Sequence, residues 1–266
     1  MNLQMSRRFY AGLVLALVST SSLVGRAEPT PSGVPLRPLS TDRPDVTESP
    51  NTVDAGHFQL EAELARVSDD EALRSYGFGH TNLKVGLAHF WDFQLVVESL
   101  VGVEVDDGYD WGFGDVTFRT KLNLFGNDGG PALALMPWTK VPTAGSRGND
   151  KVEGGLMLPF GVELPWEFEA GLMVEGDWMA NEADDDYHLE LLTSATVGHT
   201  LVGPLSAFAE VFGVYSTEPD ASYALAVDFG FTVDIDGWLQ PDAGIALGLT
   251  EAAEDYAVFA GLSLKL

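Results

Sequence analysis

Cysteine is absent from these 266 residues, so no disulfide can brace the fold. Bases are scarce: 14 Lys and Arg stand against 40 Asp and Glu, a formal charge of -26. A surface of that sign repels nucleic acid and excludes a phosphate-binding role. No helix-period stretch of useful length follows residue 55. The apolar run near the N-terminus is shorter than the roughly 20 residues that a spanning helix needs.

That run reads as the core of a secretory signal at 1–27. Arg7 and Arg8 precede it, Phe9 to about Val18 form it, and Gly25-Arg26-Ala27 offers small residues at a cleavage site. Cleavage is expected, against the alternative of an uncleaved anchor; Ser6-Arg7-Arg8 only hints at twin-arginine export. The mature chain then carries 11 bases and 40 acids, a formal charge of -29. An exported chain without Cys needs another source of stability, and a hydrogen-bonded sheet closed on itself supplies one.

What the sequence does have is alternation. The pattern predicts twelve strands, at 55–68, 80–90, 92–104, 112–125, 131–142, 153–164, 167–179, 187–201, 205–216, 222–234, 238–250 and 255–266. Phe93, Leu95, Val97, Val101 and Val103 oppose Gln94, Glu98 and Glu104. Phe168, Ala170, Leu172, Val174 and Trp178 oppose Glu169, Glu175 and Asp177. Tight connections such as Pro165-Trp166 alternate with longer polar ones such as Ser68 to Gly79 and Val105 to Trp111. Short turns at one end, long loops at the other and an even strand count describe an all-β, transmembrane antiparallel β-barrel. Trp91, Trp111, Trp138, Trp166, Trp178 and Trp238 all fall near strand ends, as interfacial girdles require. The competing reading is a secreted β-sandwich, but soluble strands average five or six residues.

In a barrel the polar rows face the lumen. The lumen-lining set is Glu61, Glu63, Lys84, Glu98, Asp115, Arg119, Lys121, Glu169, Glu175, Glu210, Asp228 and Asp242, with Lys140, Glu163, Glu190 and Lys265 on the same rows. Excess acid there favours neutral or cationic permeants. Ahead of strand one, Pro29, Pro31, Pro35, Pro38, Pro44 and Pro50 stiffen residues 28–54 and forbid regular sheet. Arg43, flanked by carboxylates, can bridge to Glu61, so 40–51 is expected to fold back as a small plug. The domain plan is thus a signal at 1–27, a Pro-rich lead-in at 28–54 and a barrel at 55–266.

Asp42-Arg43-Pro44-Asp45-x-x-Glu48-Ser49-Pro50, with Gly56, Gln59 and Glu61 after it, resembles the opening of outer-membrane proteins of the meta-pathway of phenol degradation family. Gly112-Phe113-Gly114-Asp115, Lys140-Val141-Pro142-Thr143 and Phe259-Ala260-Gly261-Leu262-Ser263 are similar to later segments of that family. The resemblance covers most of 40–266. It implies an outer-membrane, transporter-like barrel linked to aromatic compounds, with no catalytic residues. One departure is the ending Leu264-Lys265-Leu266, where such barrels usually close on an aromatic that the barrel-assembly machinery reads.

Function is therefore expected to be a porin-like channel for small solutes in the outer membrane of a Gram-negative-type bacterium, in contact with its lipid. A structural or surface-interaction barrel is the alternative. An outer-membrane enzyme using Asp186-x-His188 is disfavoured, because no nucleophile set accompanies it. No cofactor is expected. The loops Asp69-Asp70-Glu71, Asp106-Asp107-x-x-Asp110 and Asp184 to Asp186 carry oxygen ligands but not the spacing of a metal loop.

Overall fold

The computed structural model describes residues 36–70, 73–105, 108–144, 150–181 and 185–266. The expected signal, Pro29, Pro31 and Pro35 lie outside them, as do Glu71, Asp106, Asp107 and Asp184 of the acidic loops. Among the described residues none is helical. Strands form wherever the sequence alternates: β1 (Phe58–Asp70), β2 (Leu73–Phe78), β3 (His80–Ala88), β4 (Trp91–Val97), β5 (Leu100–Val105), β6 (Gly108–Gly112), β7 (Val116–Phe125), β8 (Ala132–Val141), β9 (Glu153–Leu164), β10 (Phe168–Ala180), β11 (Tyr187–Val202), β12 (Leu205–Ser216), β13 (Ala224–Val233), β14 (Leu239–Gly248) and β15 (Tyr256–Lys265).

Three of these pairs, β2 with β3, β4 with β5 and β6 with β7, are halves of single staves, so twelve staves go round. Neighbouring strands are antiparallel, and β15 returns to β1 in register from Gln59↔Lys265 to Asp69↔Tyr256. A sheet closed in this way exposes no edge. Phe58 and Leu266 exchange backbone hydrogen bonds at the seam. They sit at the end that also holds the short connections between β3 and β4, β9 and β10, and β11 and β12.

The rows face as a membrane barrel requires and as a sandwich does not. Phe93, Phe118, Leu172, Val174, Phe229, Phe231, Val258 and other large apolar side chains stand exposed on the outside. Their neighbours Gln94, Lys121, Met173, Glu175, Asp228 and Ala257 are buried on the inside. In water such a surface would be a continuous apolar patch; against lipid it is matched. Trp166 and Trp238 are exposed at the short-turn rim, and Tyr109, Trp111 and Trp178 near the other.

Four expectations need correction. Ser68 to Gly79 and Val105 to Trp111 are not long loops; β1, β2, β5 and β6 run through most of them. Tyr76, Phe78, Tyr109 and Trp111 stack there as one aromatic group, and that packing sustains the longer staves. The facing of Val101, Val103 and Glu104 is also reversed. Leu64 is an extra residue in β1 beside Glu63, and Gly79 takes a left-handed φ of 70° between β2 and β3. These irregularities shift the phase above them. Ser68 is buried and bonded to Ser75 at 2.7 Å, and Ser75 stands opposite Val103. Val101 and Val103 thus share the inward face, and Glu104 points out beside Tyr109.

Trp138, third, is not in a girdle. Its indole N–H donates to Glu175 at 2.9 Å and Asp177 at 3.0 Å, both inward residues. Fourth, the inward rows are not uniformly polar. Met136, Met157 and Met173 form one apolar cluster, and Phe259 with Ala246, Ala257 and Phe208 forms another. A lumen narrow enough to be filled tolerates such packing.

Candidate functional site: an ionic cluster inside the barrel

Residues Arg37 to Asp54 belong to the same contact unit as the staves. Their partners lie on β1, β3, β4, β7, β11, β12, β14 and β15, so the segment occupies the interior. Its prolines deny it a strand of its own. Its backbone groups are satisfied by wall side chains instead, as buried peptide groups must be.

Asp42 is the centre. One carboxylate oxygen pairs with the Lys84 ammonium and the other with that of Lys121. The second oxygen also accepts the N–H of Ser49 at 3.0 Å. Glu61 pairs with Lys84 as well and accepts the Asp42 N–H at 3.1 Å on each oxygen. Gln59 donates to Glu61 at 2.7 Å and to the Ser40 carbonyl at 2.7 Å. Lys84 and Lys121 are each 1% exposed. Charges this deeply buried persist because each has an opposite charge in contact and further hydrogen bonds.

Around that centre the segment is tied down stepwise. Arg43 reaches Asp242 at 2.7 Å and Glu63 at 3.3 Å, spanning the seam stave β15. Glu48 pairs with Arg119 at 2.7 Å. Asn123 donates to the Pro50 carbonyl at 2.9 Å. Thr52 and Val53 donate their N–H groups to Asn127 at 3.0 Å and Asp92 at 3.1 Å. Asp54 closes the series between Arg37 at 2.8 Å and Lys265 at 3.0 Å. Glu210 accepts the N–H groups of Val46 at 2.6 Å and Thr47 at 2.8 Å. The wall is relieved to admit all this: a Cβ on Gly86 would overlap the Asp54 carbonyl, and one on Gly261 would overlap the Arg43 guanidinium.

Of the lumen-lining set, Glu61, Glu63, Lys84, Arg119, Lys121, Glu210 and Asp242 meet the segment. Glu98, Asp115, Glu169, Glu175 and Asp228 are held elsewhere. Asp115 accepts the N–H groups of Thr143 and Ala144 near the longer loops, and Lys140 bridges it to Glu153. Glu98 packs over Gly114. Glu169 stands opposite Glu163 on the wall of a cavity of about 860 Å³ at the short-turn end. Asp228 is in register with Glu210. Pro44, Asp45, Ser49 and Pro50 line that same cavity. His188 bonds Asn181 and Glu190, and Asp69 pairs with Arg74.

Arg37, Asp54, Asp92 and Asn127 were missed, while Asn123 falls on the polar row with Arg119 and Lys121. Asp92 was legible, since Trp91-Asp92-Phe93-Gln94 alternates and places it beside Gln94. Nothing local marks Arg37 or Asn127, whose partners lie far along the chain.

Partial burial alone would raise the carboxyl of Asp54, but its bonds to Lys265 and Arg37 outweigh burial and hold it below the ordinary value of 3.8. Burial of Asp42 is likewise overridden by Lys121 and Lys84. A carboxyl held low stabilises docking above its ordinary pKa, and that contribution fades only as pH falls through the lowered one. A fluorophore on a cysteine at exposed Pro38 should therefore report a docked segment from pH 8 to about pH 4 and release only in stronger acid. Release near pH 6 would contradict the assignment.

A closed twelve-stave barrel with an apolar exterior, a charged interior and an N-terminal segment seated within defines the outer-membrane β-barrel class. The chain matches the family model described as "Putative MetA-pathway of phenol degradation" over residues 41–266, and it belongs to that family. No curated protein matches the sequence. Among solved structures it is similar to an outer membrane channel from Pseudomonas putida F1, with a TM-score of 0.64 at 11% identity, over 81% of this chain and 97% of that one. It is also similar to the NanC porin, with a TM-score of 0.54 at 11% identity, over 79% of this chain and 100% of that one. At these identities the likeness concerns the fold.

Proposed function

We propose that the chain resides in the outer membrane of a Gram-negative-type bacterium as a channel for small solutes, with residues 37–54 as its plug. The carrying observation is that segment: it lies inside a lipid-compatible barrel and is bonded to inward side chains on most of the circumference. The signal at 1–27 would direct export, and the barrel-assembly machinery would insert the strands with both barrel termini on the short-turn, periplasmic side. Acids outnumber bases on the inward rows, which supports neutral or cationic permeants over anions. Aromatic compounds are the class that the family's description suggests.

In planar bilayers, deletion of residues 40–51 is expected to raise single-channel conductance several-fold, with reversal potentials in a salt gradient showing cation preference. Unchanged conductance would reject the plug and favour a static structural barrel. Anion preference would reject the assignment of permeant charge.

A further inference from the structure

The segment is held unequally on its two sides. Asp42, Arg43, Glu48 and Asp54 form ion pairs with β1, β3, β7, β14 and β15, and Arg37 braces Asp54 from within the segment. These staves lie along one continuous arc, β14-β15-β1-β3-β4-β7. Between Arg43 and Glu48 the chain turns across the lumen to the opposite arc. There Val46 packs on the Met136, Met157 and Met173 cluster, Thr47 meets Ser194 at 2.6 Å, and Glu210 receives two consecutive N–H groups and the Thr47 hydroxyl. Every ion pair between segment and wall among the described residues is on the first arc, and the second is reached by hydrogen bonds and apolar contact.

The second arc is also where space already exists. The cavity of about 860 Å³ is lined by the segment, Asp45 and Thr47 included, and by wall residues that come mostly from the second arc, among them Glu169, Thr196 and Phe208, with Gln59, Gln240 and Lys265 from the first. The Glu210 carboxyl that holds the tip has a second acid beside it. Asp228 stands directly opposite Glu210, and its buried Oδ1 has no hydrogen-bond partner. Like charges opposed across a ladder weaken one another, and the side-chain hydrogen bond between the two carboxyls, which needs a proton between them, relieves that repulsion and leaves Glu210 to accept from the tip.

We propose that Asp45–Thr47 is a gate within the plug, latched shut by the Glu210 carboxylate and opened by withdrawal from β11 and β12 while the ionic anchors stay in place. This rests on the plug reading. Withdrawal widens the existing cavity along the β9–β13 wall, so a solute passes beside the segment without its expulsion. Glu210 is a positioning residue: it acts through the two N–H groups it holds.

The chain has no Cys, so Thr47→Cys with Ser194→Cys places a single disulfide between the tip and β11. In planar bilayers the oxidised pair should open about tenfold less often than the same molecules after reduction, which serve as the folding control. Glu210→Gln should open about tenfold more often than the parent, the loss expected when hydrogen bonds to a charged acceptor are weakened. If oxidised and reduced pairs conduct alike while deletion of 40–51 still raises conductance, the gate is wrong and the plug stands. If the deletion changes nothing, the plug falls and the gate with it.

Discussion

Asp42→Ala is expected to unseat the N-terminal segment. The substitution leaves the ammoniums of Lys84 and Lys121 buried with Glu61 as the one remaining carboxylate of the cluster. Breaking a buried ion pair by deleting one partner costs about 3–5 kcal/mol, against about 0–1 kcal/mol for a pair on the surface. Burial therefore decides the size of the effect, which corresponds to roughly two to three orders of magnitude in the docking equilibrium. Hydrogen exchange across residues 42–53 should change from slow to fast, with the staves still protected. Charge balance gives the control. Combining Asp42→Asn with Lys121→Met leaves Lys84 paired to Glu61, and most of the protection should return. A segment that stays protected in Asp42→Ala would show that the cluster does not seat it.

Val174→Arg is expected to destabilise the barrel in lipid by about 2–4 kcal/mol, the cost of an arginine at the hydrocarbon midplane. Val174 lies halfway along β10 and is exposed. An exposed valine on a water-soluble protein tolerates arginine at close to no cost, since surface substitutions fall within about 0.5 kcal/mol. Denaturant unfolding in lipid vesicles separates the two cases. Glu175→Gln, one residue on and facing inward, provides the reference, and the contrast reports which face meets lipid. Equal effects at both positions would remove the membrane from the picture.

The wall of the barrel was legible because its signal is local. Strands such as β10 and β15 announce both faces within a dozen residues, and closure follows once every strand has an apolar outer row. The phase slip above Glu63 was not legible. Leu64 continues the alternation perfectly, and only pairing with Gly261 and Ala260 shows it to be an extra residue. Trp138 was misplaced for a related reason. Indoles near strand ends suit an interface, and its carboxylate partners on β10 are 37 and 39 positions away.

The ionic cluster divides along the same line. Arg43 between acids, in a stretch too rich in proline for sheet, suggested a segment that bridges to lumen carboxylates. Its actual partner Asp242 is 199 positions away, and no period in the sequence connects the two. Asp92 differs from both: the alternation Trp91-Asp92-Phe93-Gln94 sets it on the inward row, and only its partner, the Val53 N–H 39 positions away, lay beyond local reading.

The glycines at positions 86 and 261 fit the inner wall to one particular lead-in, the first to the Asp54 carbonyl and the second to the Arg43 guanidinium. A lead-in grafted from another barrel could reproduce every charge and still not fit, because its carbonyls would meet hollows cut for a different path. Lead-in and wall should thus be exchangeable between proteins only as a matched set, and chimaeras that swap one without the other should assemble with the lead-in hanging free.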